Sequence, residues 1–203
     1  MAKENLTDKK GNLTIIAGPM FAGKTKELLR QIHLVQEDQK EILIFKSFLD
    51  TLSSTEITSY SNKKVIVINK SKEINEYLKK YPRTEAIFIN GLHFFDLGIV
   101  KTLNKIIKKG YLVVAAGLDQ DFRGKPFENT AFLLALAEKV IKLASVCRVC
   151  RQEARMTQRL INGRPVLTND PVILVGDKEI YEPRCRIHHV ISKLETAIGE
   201  KVN

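Results

Sequence analysis

The chain has 203 residues, of which 44% are hydrophobic and 7% aromatic, and its formal net charge is +10. This length suits one ordinary domain with a small appendage, and the apolar fraction suits a packed core, which excludes a disordered or fibrous protein. No apolar run approaches the roughly 18 residues of a membrane span. The polar start, MAKENLTDKK, lacks the apolar segment of a signal peptide, so we expect a cytoplasmic protein without a membrane partner.

The positive charge is compatible with two kinds of partner. A basic stripe with interleaved aromatic side chains would indicate nucleic acid, because bases stack on such rings. Here the lysines and arginines are spread along the chain, and no aromatic residues interleave with them. Attraction to anionic nucleotides is a sufficient explanation of the charge, so nucleic acid is not the expected partner.

Short apolar runs alternate with segments of helical spacing from residue 13 to residue 115. Strands are expected at 13–17, 42–45, 65–68, 86–89 and 111–115, and helices at 26–37, 74–81 and 97–109. Residues 47–64 are polar and lack a clear period, which indicates a loop or a weak hairpin. The alternation is typical of an α/β domain with a largely parallel sheet, which binds ligands at the carboxyl ends of its strands.

The composition changes after about residue 140. One more strand is expected at 140–146, and close-set Cys, Arg, Asn-Gly and Pro residues follow it. Asn162-Gly163, between two apolar stretches, predicts a hairpin turn. The predicted organisation is therefore a loose leader (1–11), an α/β domain (12–145), a small second lobe (146–192) and a tail (193–203).

A complete phosphate-binding loop follows the first expected strand and opens the first expected helix. It reads GPMFAGKT and comprises Gly18, Pro19, Met20, Phe21, Ala22, Gly23, Lys24 and Thr25. The two glycines permit a tight backbone whose N–H groups face phosphates at a helix N-terminus. Lys24 would neutralise the β- and γ-phosphates, and the Thr25 hydroxyl would bind Mg²⁺. The motif predicts a site for ATP with Mg²⁺.

All three cysteines lie in two short motifs of the second lobe. Cys147-x-x-Cys150 and Cys185-x-x-His188 together supply Cys₃His, a closed tetrahedral set for zinc. A closed set leaves no position for substrate, which indicates a structural zinc ion. His189 competes for the fourth position, although the matched two-residue spacing favours His188. The alternative is a group of separate buried thiols.

Several longer runs carry a resemblance to a known family. GPMFAGKT, AAGLDQDFRGKPF, ARMTQRLINGRP and DPVILVGDKEIYEPRCRIHH together resemble the compact, zinc-containing thymidine kinases, from Gly11 to His189. The resemblance implies a RecA-like P-loop domain with a parallel sheet and a small zinc-binding lobe with a lasso loop, assembled as a homotetramer. It also implies transfer of the γ-phosphoryl group of ATP to the 5′-hydroxyl of thymidine or a related deoxynucleoside.

The resemblance also assigns a nucleoside pocket. Its residues in this chain would be Met20, Phe122, Thr157, Val175, Gly176 and Tyr181. Phe122 would stack on the thymine ring and Tyr181 would pack on the nucleoside. Residues 167–181 match the lasso loop, whose backbone around Val175 and Gly176 would hydrogen-bond the base. Without the resemblance, Met20, Phe122 and Tyr181 would be interpreted as ordinary core residues.

The chain departs from the family pattern where acidic residues are expected. The family has I-D-E-x-Q-F-F, with an Asp for the Mg²⁺ shell and a Glu that takes the proton from the nucleoside, and this chain has INGLHFF. Asn90 replaces the Asp and can still accept a water ligand near the nucleotide, whereas Gly91 replaces the Glu and has no side chain. The candidate substitutes for the base are His93, which is nearest in sequence, and then Asp96, Asp119 and Asp121.

A second departure lies in the family's K-P-x-x-D-x-R, which appears as Lys46-Ser-Phe-Leu-Asp50-Thr-Leu52 without the Arg. Three hypotheses follow from these differences. The first is a working thymidine kinase with relocated catalytic groups. The second is a kinase-dead homologue that binds nucleotide or nucleoside and acts as a regulator or assembly partner. The third is a basic protein whose zinc lobe binds nucleic acid.

Overall fold

A six-stranded parallel sheet forms the centre of the protein, of which the computed structural model describes residues 10–50, 65–173 and 181–192. Its strands are β1 (Asn12–Ala17), β2 (Ile42–Ser47), β3 (Val65–Ile68), β4 (Ala86–Asn90), β5 (Leu112–Gly117) and β6 (Lys139–Lys142). The order across the sheet is β3-β2-β4-β5-β1-β6, and every neighbouring pair is parallel. The expected α/β class is therefore confirmed.

Helices cover both faces of the sheet, because its strands carry apolar side chains on both sides. The helices are α1 (Lys24–Glu37), α2 (Glu73–Lys80), α3 (Gly98–Ile107) and α4 (Glu128–Leu136), with a 3₁₀ turn at Leu92–Phe94. Phe88 and Val114 pack on one face with Leu28 and Ile32 of α1. The other face of the sheet packs against α2, α3 and α4. The helix that begins at the phosphate loop is thus held by one half of the core.

Three of these helices follow the expected apolar spacing, and one does not. In α1 the buried residues Leu28, Ile32 and Val35 repeat at helical intervals. Helix α4 was not among the expected helices, because its polar residues Glu128, Asn129 and Thr130 all lie in the first turn and the apolar remainder shows no amphipathic period. Leu133 is fully buried there, whereas Phe132 and Leu136 are about half exposed. A helix without a polar face gives no periodic signal in the sequence.

The second lobe consists of short antiparallel strands. They are β7 (Ser145–Val146), β8 (Glu153–Ala154), β9 (Met156–Ile161), β10 (Arg164–Pro165) and β11 (Tyr181–Arg184). Strand β9 lies between β10 and β11, and β7 pairs with β8. Asn162 and Gly163 connect β9 to β10 with φ values of +51° and +73°. These positive values are those of a type I′ turn, so the expected hairpin is confirmed.

The single strand expected at 140–146 is wrong in its extent. The run is divided between β6 and β7, which belong to different sheets. After β6 the backbone N–H of Leu143 donates to the carbonyl of Ala17, and Ser145 then pairs with Ala154 of the second lobe. An apolar run can therefore serve two sheets in succession. The domain boundaries stay predictions, and the expectations for residues 1–9, 51–64, 174–180 and 193–203 lie outside the described residues.

The helices in the described part of the chain are all too short or too polar to cross a membrane. Helix α1 has 14 residues, whereas a membrane-spanning helix needs about 20 consecutive apolar residues.

The packing of Phe88 generates a test of the core. Phe88 is fully buried in the central strand β4, so its truncation to Ala leaves a cavity between the sheet and α1. We expect Phe88→Ala to lower the free energy of unfolding by about 3–5 kcal/mol in urea denaturation. Phe48→Ala is the matched control, because the same atoms are removed from a side chain that is 64% exposed. Equal losses in the two variants would contradict this assignment of the core.

Candidate active site and metal centre

The phosphate-binding loop lies between β1 and α1, as the motif requires. Gly18 has a φ of +152°, and a Cβ atom there would lie 2.5 Å from the carbonyl oxygen of Leu143. Gly23 precedes α1 with a φ of +82°, in the left-handed region that favours glycine. A side chain at either position would therefore clash or strain the loop. The backbone conformation explains why the motif needs both glycines.

Lys24 is the first residue of α1 and turns back over the loop. Its Nζ donates a hydrogen bond of 2.6 Å to the carbonyl of Pro19. Burial lowers the pKa of Lys24 to about 8, although the nearby carboxylate of Asp119 raises it. The ammonium group is thus shielded from water, and its pKa depends on negative charge placed beside it. A phosphate group at the loop would stabilise its protonated form.

The carboxyl ends of β2 and β4 lie side by side and bring Asn90 to Asp50. Lys46 of β2 pairs in register with Asn90 at the end of β4. The Asn90 side chain donates from Nδ2 to Oδ2 of Asp50 over 3.0 Å, and both residues are buried. Lys46 is also buried, and its Nζ donates to the backbone carbonyl of Asp50 over 2.6 Å. A carboxylate is therefore present at this edge, although it follows β2 and not β4.

Gly91 follows β4 with a φ of +69° and leaves room for the Asp50 carboxylate. A Cβ atom at position 91 would lie 2.8 Å from Oδ2 of Asp50 and 3.1 Å from Cδ2 of Phe94. Both the backbone conformation and the available space therefore favour glycine at this position. The carboxylate of Asp50 occupies the space that a side chain at position 91 would need.

His93, the first candidate substitute for the base, lies in the 3₁₀ turn that follows Gly91. The backbone N–H of Leu118 donates to its Nδ1 over 3.1 Å, so a neutral His93 carries its proton on Nε2. Burial, together with the positive charge of Lys24, lowers the pKa of His93 to about 3. The ring is therefore neutral at physiological pH, and its acceptor nitrogen is engaged. His93 is therefore poorly suited to accept a proton from a nucleoside hydroxyl.

The three candidate aspartates have different partners. Asp96 accepts hydrogen bonds from the backbone N–H and the hydroxyl of Ser71, both at 2.9 Å. Asp121 is bound by the Arg123 guanidinium at 2.6 Å and organises the turn before Lys125.

Asp119 is buried and lies 3.3 Å from the ammonium of Lys142. Its Oδ1 has no hydrogen-bond partner in the described part of the chain. Because its charge also acts on Lys24, Asp119 belongs to the phosphate side of the site.

The candidate nucleoside pocket brings Phe122 together with residues of β9. Phe122 is almost fully buried, and the Arg159 guanidinium carbon lies 4.0 Å from its ring centroid. Arg159 is itself only 1% exposed and donates to the carbonyl of Pro171 over 2.7 Å. A cation thus covers one face of the Phe122 ring.

Thr157 connects this pocket to the phosphate loop. Its hydroxyl oxygen accepts a hydrogen bond of 3.0 Å from the backbone N–H of Met20. Tyr181 begins β11 and pairs in register with Arg159. The structure therefore brings Met20, Phe122, Thr157 and Tyr181 to neighbouring elements, whereas Val175 and Gly176 lie outside the described residues.

The four residues of the cysteine motifs come together as a candidate zinc site. One potential ligand atom from each of Cys147, Cys150, Cys185 and His188 lies within 4.8 Å of every other. The Sγ atoms of Cys150 and Cys185 are 3.7 Å apart, close to the spacing of about 3.8 Å that tetrahedral Zn–S bonds of about 2.3 Å produce. The donor set and the geometry therefore fit zinc.

The electrostatics of the cluster favour thiolate at one of its cysteines. Burial raises the pKa of Cys147, but the backbone N–H groups of Cys150, Cys185 and Val149 outweigh it and lower the pKa to about 6. Thiolate is the form that binds metal. The cluster is therefore prepared for a cation and not for a disulfide, and all three cysteines are free.

The two adjacent histidines face different partners. His188 Nδ1 lies 3.1 Å from Cys185 Sγ and 4.0 Å from Cys147 Sγ. His189 instead donates from Nε2 to the carbonyl of Phe122 over 2.8 Å. The geometry therefore favours His188 over His189 as the fourth potential ligand. His189 links the metal lobe to the nucleoside pocket.

Sequence reasoning missed two residues of this site. Asp50 stands in the Lys46-x-x-x-Asp50 pattern, but nothing local indicates that it approaches Gly91, which is distant in the chain. Arg159 lies in β9, and its position on Phe122 depends on how the second lobe packs. The sequence signals for Asp50 were its match to the Asp of the family's K-P-x-x-D-x-R pattern and its place soon after an apolar strand.

The cysteine cluster generates a test of metal binding. We expect the purified protein to contain about one zinc ion per chain by elemental analysis. His188→Asn should lose most of this zinc to a competing chelator, because one ligand is removed. His189→Asn is the matched control and should retain it, since His189 faces Phe122. The opposite pattern of retention would contradict the assignment of the fourth ligand.

A protein family and two solved structures are similar to this chain. The thymidine kinase family model matches residues 11–189. The flagellar accessory protein FlaH from Methanocaldococcus jannaschii is similar in structure, with 13% identity and a TM-score of 0.50, over 70% of this chain and 74% of that chain. A second solved structure, an ATPase domain, gives 14% identity and a TM-score of 0.44, over 65% of this chain and 69% of that chain.

The likeness to FlaH concerns the fold alone, since the identity is low. The family match is of a different kind, because it spans most of the chain and includes the phosphate-binding loop, Phe122 and both cysteine motifs. The chain therefore belongs to the thymidine kinase family.

Proposed function

We propose that this chain transfers the γ-phosphoryl group of ATP to the 5′-hydroxyl of thymidine or a closely related pyrimidine deoxynucleoside. Membership of the family supports a nucleoside kinase. The observation that carries the proposal is the hydrogen bond between the Met20 N–H and the Thr157 hydroxyl. It joins the phosphate loop to a wall of the nucleoside pocket, so that a phosphoryl donor and its acceptor would meet there.

The donor side of the site would supply several of the groups that phosphoryl transfer uses. The backbone N–H groups of the loop would cradle the phosphates, and Lys24 would offset their charge. Mg²⁺ bound with ATP would supply further neutralisation of the transferred group. The oxygens that would hold it are the Thr25 hydroxyl and, through water, the side-chain amide of Asn90. These are hard oxygen donors, which Mg²⁺ prefers.

The acceptor side would recognise the base by stacking and packing. Phe122 is held between the second lobe and the sheet by Arg159 and by the hydrogen bond from His189. Such a fixed ring would orient the base and carry the 5′-hydroxyl toward the loop. Tyr181 and the backbone around Val175 and Gly176 would complete the pocket, as the resemblance implies.

We also propose a homotetramer in the cytoplasm. Phe132 and Leu136 of α4 and Val140 of β6 are each about half exposed, and a second copy would cover this apolar surface. Sedimentation equilibrium checks the proposal, and a monomeric mass at micromolar concentration would contradict it.

A second candidate function is binding without turnover. Asn90 and Gly91 carry no carboxylate, and this observation favours a regulator or assembly partner that holds nucleotide or nucleoside. A positioned general base contributes about 10²–10⁴-fold to such a reaction. A chain without any such group would turn over roughly 0.001–0.1 times per second from an ordinary value near 10 per second.

A transfer assay distinguishes these two functions. With labelled ATP, Mg²⁺, thymidine and zinc-loaded protein, we expect roughly 0.1–10 turnovers per second, because the positioning groups of both sides are present. Lys24→Ala should reduce the rate to background. Deoxyuridine should react about 10–200-fold less efficiently, since it lacks one methyl group in an apolar pocket.

The control is nucleotide and nucleoside binding measured in the same samples. Saturable binding of both ligands without transfer would contradict the kinase proposal and support the binding function. Failure to bind either ligand would contradict both.

The lowered pKa of Lys24 predicts a pH dependence of ATP binding. Phosphates stabilise the protonated amine, whereas the free protein loses this proton as the pH rises through about 8. ATP affinity should therefore be greatest below pH 8 and fall roughly tenfold between about pH 7.5 and pH 9, as measured by titration calorimetry. Lys24→Arg keeps its charge over this range and should show a flat profile. An equal slope in both proteins would rule out Lys24 as the titrating group.

A further inference from the structure

The carboxylate of Asp50 is the acidic group that the fold places beside Gly91. Its Oδ2 lies 3.0 Å from Nδ2 of Asn90 and 2.8 Å from where a Cβ at position 91 would be. Resting on the proposed kinase function, we propose that Asp50 is the catalytic residue that accepts the proton of the nucleoside 5′-hydroxyl. The carboxylate of Asp50, which follows β2, then performs the role that glycine at position 91, just after β4, cannot perform.

Asn90 and Gly91 are both compatible with the position of the Asp50 carboxylate beside them. Two carboxylates at the distance that separates the Asn90 and Asp50 side chains would repel each other. The amide at position 90 instead donates a hydrogen bond to the Asp50 carboxylate. Glycine at position 91 leaves the required space. The two replacements are therefore mutually consistent when Asp50 carries the charge.

Asp50 is also held in position from the other side. The buried Lys46 ammonium donates to its backbone carbonyl over 2.6 Å, which fixes the chain where β2 ends. The carboxylate and the phosphate loop thus stand at the same edge of the sheet, since β2, β4, β5 and β1 are parallel neighbours in that order. Positioning of this kind is what a general base requires.

The other candidates stand at different places in the site. His93 accepts a backbone hydrogen bond on its acceptor nitrogen. Asp121 is bound by Arg123, and Asp96 is bound by Ser71. Asp119 lies near two lysines at the phosphate side. Asp50 is the candidate whose carboxylate lies against the space beside Gly91.

In the proposed step, the 5′-oxygen of the nucleoside attacks the γ-phosphorus of ATP while the proton of the 5′-hydroxyl passes to a carboxylate oxygen of Asp50. The new phosphorus–oxygen bond forms as the bond from the γ-phosphorus to the β,γ-bridging oxygen breaks, and that electron pair leaves with ADP. Protonated Asp50 then returns its proton to water.

Asp50→Asn is the first test, because the amide is isosteric and its oxygen can still accept the hydrogen bond from Asn90. We expect kcat for thymidine to fall about 10²–10⁴-fold, with KM for ATP and thymidine changed less than about threefold. Asp38→Asn is the matched control, since this aspartate is exposed and pairs only with Lys40 among described residues.

Three outcomes would overturn the inference in distinguishable ways. If the wild-type chain transfers phosphate and Asp50→Asn keeps more than about a third of kcat, the kinase function stands and the base is another residue. Asp119→Asn in the same series identifies the alternative. If Asp50→Asn loses ligand binding with an unchanged kcat, Asp50 is a binding residue. If the wild-type chain binds both ligands without transfer, the kinase function fails as well.

A relocation experiment completes the test. The double variant Asp50→Ala, Gly91→Glu places a carboxylate at position 91, just after β4. The Asp50→Ala change removes the side chain that would otherwise occupy the space of the new glutamate. We expect at least a roughly tenfold recovery of kcat relative to Asp50→Ala alone. Thermal unfolding and ATP binding verify that both variants are folded. A folded double variant that binds both ligands and recovers nothing would contradict an exchange of roles between positions 50 and 91.

Discussion

Parallel hydrogen bonding between β1, β5, β4 and β2 brings four strand ends to one edge of the sheet. At this edge Ala17 of β1 pairs with Gly117 of β5, and Asn90 of β4 pairs with Lys46 of β2. The phosphate loop and the Asp50 carboxylate each follow one of these ends, so their separation is set by strand register. A slip of one residue would turn each side chain to the opposite face. The packed apolar core behind this edge therefore fixes the relative positions of the groups at the edge.

The second lobe completes the site through three contacts with this edge. Thr157 holds the phosphate loop, Arg159 supports Phe122, and His189 holds the carbonyl of Phe122. Each contact comes from a strand or turn that depends on the short antiparallel sheet or on the cysteine cluster. The small lobe has little apolar core of its own, and a lobe of this size commonly needs a metal for stability. The candidate pocket thus lies between the large core and a small lobe that carries a candidate zinc site.

The parts of this site that sequence reasoning found are those whose residues are close in the chain. The phosphate loop and the two Cys motifs have short fixed spacings, and apolar runs indicated the strands. Asp50 and Gly91 meet only because β2 and β4 are neighbours, and Arg159 meets Phe122 only because the lobe folds back. Such contacts depend on strand pairing and lobe packing, which have no local pattern. Helix α4 was missed for a different reason, since it has no polar face.

The position of His189 has a thermodynamic consequence. It directly follows the potential zinc ligand His188 and holds the backbone of Phe122, on which the base would stack. A zinc ion that orders this turn would therefore also order the stacking ring. By linkage, the two binding events must strengthen each other by the same factor. At equilibrium, bound nucleoside would then reduce the loss of zinc to a chelator, and scarcity of zinc would weaken nucleoside binding without any change at the phosphate loop.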